Sequence, residues 1–152
     1  MKSRLLLALA TGLFIAADDV KKDASKDDQA AMQGNWTATS GEIQGQKVTD
    51  EAIKVFKIVV KGNKITFTGT PGSTFELDAT KKPRVIAVTP LDGPRKGKTQ
   101  RAIYSIDKDT LKLCMSNDRT KDNQPPPKEF ATKPGDGLTL ITFKRDPAEK
   151  DK

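Results

Sequence analysis

The chain has no histidine and one cysteine, Cys114, in 152 residues. Without histidine there is no Ser-His or Cys-His pair and no imidazole base, and a lone thiol builds neither an internal disulfide nor a cysteine-rich zinc site. Aromatic residues make up only 5%, too few to supply stacking platforms beside basic groups, so specific nucleic-acid binding is not expected. Beyond residue 17 no run is long and apolar enough to read as a membrane span. What remains is 31% charged and 35% hydrophobic, with a formal net charge of +7. That length and composition fit one domain with a small core, in which buried and wet positions must alternate efficiently.

Lys2 and Arg4 precede an apolar run from Leu5 to Ala10 and Leu13 to Ala17, and the chain turns polar at Asp18 and Asp19. This order reads as a secretory signal peptide over residues 1–17, which places the mature protein outside the cytoplasm, in the periplasm, cell envelope or medium. Residues 18–31, rich in Asp, Lys, Ala and Gln, read as a polar linker running into a short helical turn. Residues 146–152 read as a disordered tail, leaving 32–145 as the folded domain.

Within that domain apolar residues recur with period two between turn formers, an all-β pattern. Trp36 and Ala38 open the first strand, and Phe56, Ile58 and Val60 share a face of the next. Gly62 and Asn63 make a hairpin into Ile65 and Phe67; Phe75 with Leu77, Ile86 with Val88, and Tyr104 with Ile106 mark three more strands. Leu111, Leu113 and Met115 form another, with Cys114 on its opposite face, and Leu140, Ile141 and Phe143 lie in the last. Thr49, Asp50 and Glu51 supply the cap and acidic first turn of a short helix ending near Lys54. The count is eight main strands, with a short ninth around Phe130. Sequential strands on short turns remove their edges by closing, so the expected fold is an up-and-down antiparallel barrel.

Gly34-Asn35-Trp36 at the start of the first strand resembles the Gly-x-Trp signature of lipocalins, and Arg145 resembles their terminal basic residue. That resemblance implies barrel closure by Gly34, Trp36 and Arg145, the guanidinium lying over the indole. A longer resemblance covers residues 31–145. It is carried by Met32-Gln33-Gly34-Asn35-Trp36, Lys81-Lys82-Pro83 leading to Thr89-Pro90-Leu91-Asp92-Gly93-Pro94, and Ile103-Tyr104-Ser105-Ile106-Asp107. Asp109-Thr110-Leu111-Lys112-Leu113-Cys114 and Lys128-Glu129-Phe130 through Pro134-Gly135-Asp136-Gly137-Leu138 complete it. These phrases, in this order, are similar to an uncharacterised lipocalin-like domain family of planctomycete bacteria. The family implies a secreted or envelope-associated barrel and brings no catalytic residues. Lys108 stands where its members often have Gly, and Ala87 where they often have a polar residue.

No constellation reads as an enzyme centre, and no cofactor is implied. The acidic pairs, Asp107 with Asp109 among them, lack the ligand number and glycine bend of a calcium loop, so no metal is expected. Glu76 and Glu129 as glycosidase carboxylates have nothing but residue type to recommend them. Cys114 reads as a half-buried small hydrophobe, although Lys112 on the same face would favour a thiolate. The leading expectation is a non-enzymatic barrel whose interior takes a small apolar or amphipathic molecule. Its wall would be formed by Trp36, Phe56, Ile58, Phe67, Phe75 and Leu77 with Ile86, Val88, Tyr104, Leu111 and Leu113, the Tyr104 hydroxyl near the ligand. The alternative is a solid barrel that contacts an envelope polymer or protein through basic loops. Residues 32–145 hold 20 basic and 12 acidic side chains, and Arg95, Lys96, Lys98 and Arg101 form the densest cluster.

Overall fold

The computed structural model describes residues 17–118 and 120–148. The expected signal peptide lies outside them apart from Ala17. Two helices and nine strands follow in the order α1 (Ala17–Met32), β1 (Gly34–Ile43), β2 (Gln46–Lys47), α2 (Asp50–Ile53), β3 (Lys57–Lys61) and β4 (Lys64–Phe67). The remainder are β5 (Ser73–Asp78), β6 (Arg84–Pro90), β7 (Gln100–Asp107), β8 (Thr110–Ser116) and β9 (Leu138–Arg145).

Each strand from β3 to β9 pairs antiparallel with the next, β1 pairs with β3, and β1 also pairs with β9. The result is a closed eight-stranded up-and-down barrel with β2 as an extra strand, folded back on the end of β1. Closure is long on the β1–β9 side, where Trp36 to Ile43 face Arg145 to Thr139 with a register shift between Ala38 and Ser40. Such a shift adds twist and bend, which a small barrel needs. The β4–β5 seam is much shorter, two residue pairs, Lys64 with Thr74 and Ile65 with Ser73.

Local chemistry accounts for the elements. Gly62, at φ +60, allows the tight β3–β4 hairpin. Thr49 caps α2 by accepting from the Ala52 amide at 3.4 Å, with Asp50 and Glu51 in the first turn. Alternation fills the core: Ile58 and Val60 of β3, Phe75 of β5, Ile86 of β6, Tyr104 of β7, Leu111 and Leu113 of β8 and Phe143 of β9 are all buried.

Three segments differ from the sequence reading. Residues 18–31, read as a linker ending in one helical turn, belong to the sixteen-residue helix α1, with Asp28 and Met32 buried against the barrel. Phe56 precedes β3 rather than joining it and is 43% exposed. The ninth strand is Gln46–Lys47, not the segment around Phe130. Phe130 lies instead in an irregular strap, residues 120–137, that crosses the outside of β7 and β8. The strap is pinned where Thr132 donates to Glu42 and accepts from the Gly45 amide. It buries Ile103 and Cys114, neighbours on the outer face, which strand alternation alone would leave wet.

Candidate functional site

The two ends of the barrel are built differently. At one end α1 is fastened by polar groups: the Asp28 carboxylate accepts Arg84 Nη1 on both oxygens at 2.9 Å and the Tyr104 hydroxyl at 2.6 Å. Gln33 forms a reciprocal pair with Gly62, its Oε1 accepting from the amide at 2.7 Å and its Nε2 donating to the carbonyl at 3.0 Å. Trp36, fully buried, donates from Nε1 to the Met32 carbonyl at 2.9 Å.

Arg145 lies over the Trp36 ring at 4.1 Å from its centroid. Its remaining donors reach the Gln33 and Ala31 carbonyls and, at 3.0 Å, the Asp109 carboxylate. A cation over an indole contributes roughly 0.5 to 2 kcal/mol. Gly34, at φ +114, leaves a hypothetical Cβ 3.4 Å from Arg145 Nη1. Gly34, Trp36 and Arg145 therefore meet at this end. Tyr104 is spent here too: burial first, then its bond to Asp28, pushes the phenol well above its ordinary pKa, so it stays a neutral donor.

The opposite end holds a cavity of about 670 Å³. Ile43, Val48, Ile53 and Phe56 form the part of its wall that lies around α2. Phe67, Ile86, Val88, Leu113, Met115 and Ile141 continue it along the strands. Gly41 makes room for α2, because a Cβ there would sit 2.5 Å from Ile53 Cδ1. Polar groups are few and border the strand ends: Thr68, Thr70, Ser73, Gln100, Asn117 and Thr139. Among the described residues, the charged side chains lining this cavity are Asp92 and Arg95.

The eleven residues named from sequence for the wall divide between these ends. Phe56, Phe67, Ile86, Val88 and Leu113 line the cavity. Trp36, Ile58, Phe75, Tyr104 and Leu111 are buried elsewhere in the core, and Leu77 is half-buried, packed against that core and also bordering a separate groove. Val48, Ile53 and Met115 line the cavity but were not named; Met115 shares the face of Leu111 and Leu113 and was within reach of the same period-two rule.

The basic cluster also divides. Arg95 faces the barrel cavity, Lys96 and Lys98 are exposed on the β6–β7 loop, and Arg101 points outward because its neighbour Ala102 points in. Arg101 borders the outside groove with Lys81, Lys82 and Lys128, where Glu76 also lies. Glu129 is 3.8 Å from Lys133 on the strap. Burial, with Asp136 adding to it, raises the Cys114 thiol to about 11, and its Sγ contacts the Ala131 carbonyl at 3.9 Å. The proximity of Lys112 does not offset that burial, and a neutral buried thiol is a poor nucleophile. Among the described residues no group of three Asp, Glu, His or Cys side chains is placed to hold a metal ion, and no helix is long and apolar enough to cross a membrane. Comparison of the chain with family models, with curated proteins and with solved structures gives no match.

Proposed function

We propose that this protein is a non-enzymatic, secreted or envelope-associated binding protein that takes one small apolar or amphipathic molecule into the hollow end of its barrel. The observation that carries the reading is the cavity of about 670 Å³ walled by Phe67, Val88, Met115 and Ile141. Pockets of roughly 300 to 1,000 Å³ with mostly apolar walls and a few placed polar groups are the ordinary form of a small-molecule site. The signal-like order of residues 1–17 and the resemblance to lipocalin-like domains support the extracytoplasmic part of the proposal.

The test is titration of the folded protein with N-phenyl-1-naphthylamine, a neutral apolar fluorophore. Saturable binding at one site per chain is expected. Met115→Trp, which fills the cavity from β8, should abolish it while Lys98→Ser leaves it unchanged. Absence of saturable binding by the unmodified protein would overturn the proposal.

A further inference from the structure

Among the described residues, Arg95 is the one cation that lines the cavity, and its hydrogen bonding is incomplete. It sits in the loop between β6 and β7, on the cavity wall. Nη1 donates to Gln100 Oε1 at 3.3 Å, and Gln100 is itself held because its Nε2 donates to the Ser116 carbonyl. That second bond fixes which end of the Gln100 amide faces the arginine. Nε and Nη2 are shut off from solvent and have no hydrogen-bond acceptor among the described residues. These two nitrogens carry parallel N–H groups along one edge of the guanidinium, the edge that pairs bidentately with a carboxylate. A buried charged fork with no acceptor is costly to maintain, and an arriving anion removes that cost.

Asp92 is the competing charge on the same wall. It is exposed, and its carboxylate turns back to accept from the Gly93 amide at 2.7 Å. Arg95 is the more buried of the two, so it is the charge whose partner is missing.

We infer that the Nε–Nη2 edge of Arg95 is a head-group site and that the ligand is an amphiphile with a carboxylate at one end and an apolar chain along Val88, Met115 and Ile141. The inference rests on the cavity reading and adds the chemical class of its occupant. The flexible stem of Arg95 lets the fork turn toward the cavity as the acid enters, with Gln100 retaining the far nitrogen.

The experiment is displacement of N-phenyl-1-naphthylamine at pH 7.5 by laurate, dodecanol and dodecylamine, which share one chain length and differ in head group. Laurate should compete about tenfold or more better than dodecanol, the range that a charge-assisted pair supplies. Dodecylamine should be the weakest. In Arg95→Gln the laurate advantage should vanish while dodecanol affinity stays within about twofold, and Arg95→Lys should recover only part of it. Unchanged urea midpoints of both variants show that they remain folded, and each competition is read against that variant's own fluorophore affinity. If dodecanol and laurate compete equally, or laurate keeps its advantage in Arg95→Gln, the head-group site is refuted and the cavity reading stands. Preference for dodecylamine would give the recognition to Asp92 and refute it as well. If the fluorophore itself finds no site, both readings fail together.

Discussion

The α1 end of the barrel and the end away from it are made from the same eight strands, but one is solid and the other hollow. At the α1 end, Trp36, Tyr104, Leu111 and Phe143 are packed to near-zero exposure, and a polar helix is tied across them by Asp28, Gln33 and Arg145. At the other end the only helix among the described residues is the four-residue α2, and the strand ends surround a cavity. The difference shows that closing a sheet into a barrel does not decide whether its interior is filled. What fills one end is a plug of sufficient length with polar fasteners at the rim.

The sharpest way to break this comparison is truncation at each end. Leu111→Ala should cost about 3 to 4 kcal/mol, since it opens a void in close-packed surroundings, whereas Met115→Ala, already facing a cavity, should cost about 1 kcal/mol or less. Urea unfolding of both variants measures this; equal losses would mean that the two ends are packed alike. Next in size is Asp28→Ala, which strands the Tyr104 hydroxyl and should cost about 2 to 3 kcal/mol. Arg84→Ala should cost less, about 1 kcal/mol, because the Arg84 side chain is 45% exposed and its pairing is partly screened.

Gly41→Ala probes the hollow end through α2. Its Cβ would push on Ile53, so a loss of about 1 to 2 kcal/mol is expected together with altered fluorophore affinity, while the α1 end keeps its tryptophan emission. A smaller gain is expected at the β7–β8 turn beyond the solid end. Lys108 has φ +50, a left-handed conformation that suits glycine, so Lys108→Gly should raise stability by about 0.5 to 1 kcal/mol in the same unfolding assay.

The smallest effect separates the solid end from the outer wall by pH. The folded protein holds the Cys114 proton up to about 11, whereas the unfolded chain releases it near 9.0. The native state then binds more protons than the unfolded state, so stability should decline as pH rises through that window. Tyr104, whose ordinary value is 10.0 and whose folded value is raised, adds a decline that begins higher. Urea midpoints between pH 8 and 11 should show Cys114→Ala losing the lower part of the decline and Tyr104→Phe the upper part.

Much of the fold was legible because its signals are local. Gly62 demands a turn, Thr49 followed by Asp50 and Glu51 demands a helix start, and inward side chains repeat every second residue. Helix α1 was not legible in the same way: it buries Met32 and the carboxylate of Asp28 rather than an apolar stripe, so hydrophobic periodicity has little to register. The strap over Cys114 was hidden for a related reason, being irregular chain that covers an outer face through a few contacts such as Thr132 with Glu42. Of the candidate wall, period two placed Phe67 and Trp36 on the same inward side and stopped there. It carries no information about height along the barrel, which separates a cavity-lining phenylalanine from a tryptophan locked beneath a helix.

The sequence by itself determined that this chain forms antiparallel strands, where they turn, and which side chains face in, because alternation and turn chemistry act between near neighbours. Only the tertiary structure decided which end is filled, that Tyr104 is committed to Asp28, and that Arg95 faces the cavity while Arg101 faces the outer groove. Those outcomes depend on residues brought together across the barrel, 76 positions apart for Asp28 and Tyr104. Distances set by closure and by the docking of α1 leave no trace in local pattern.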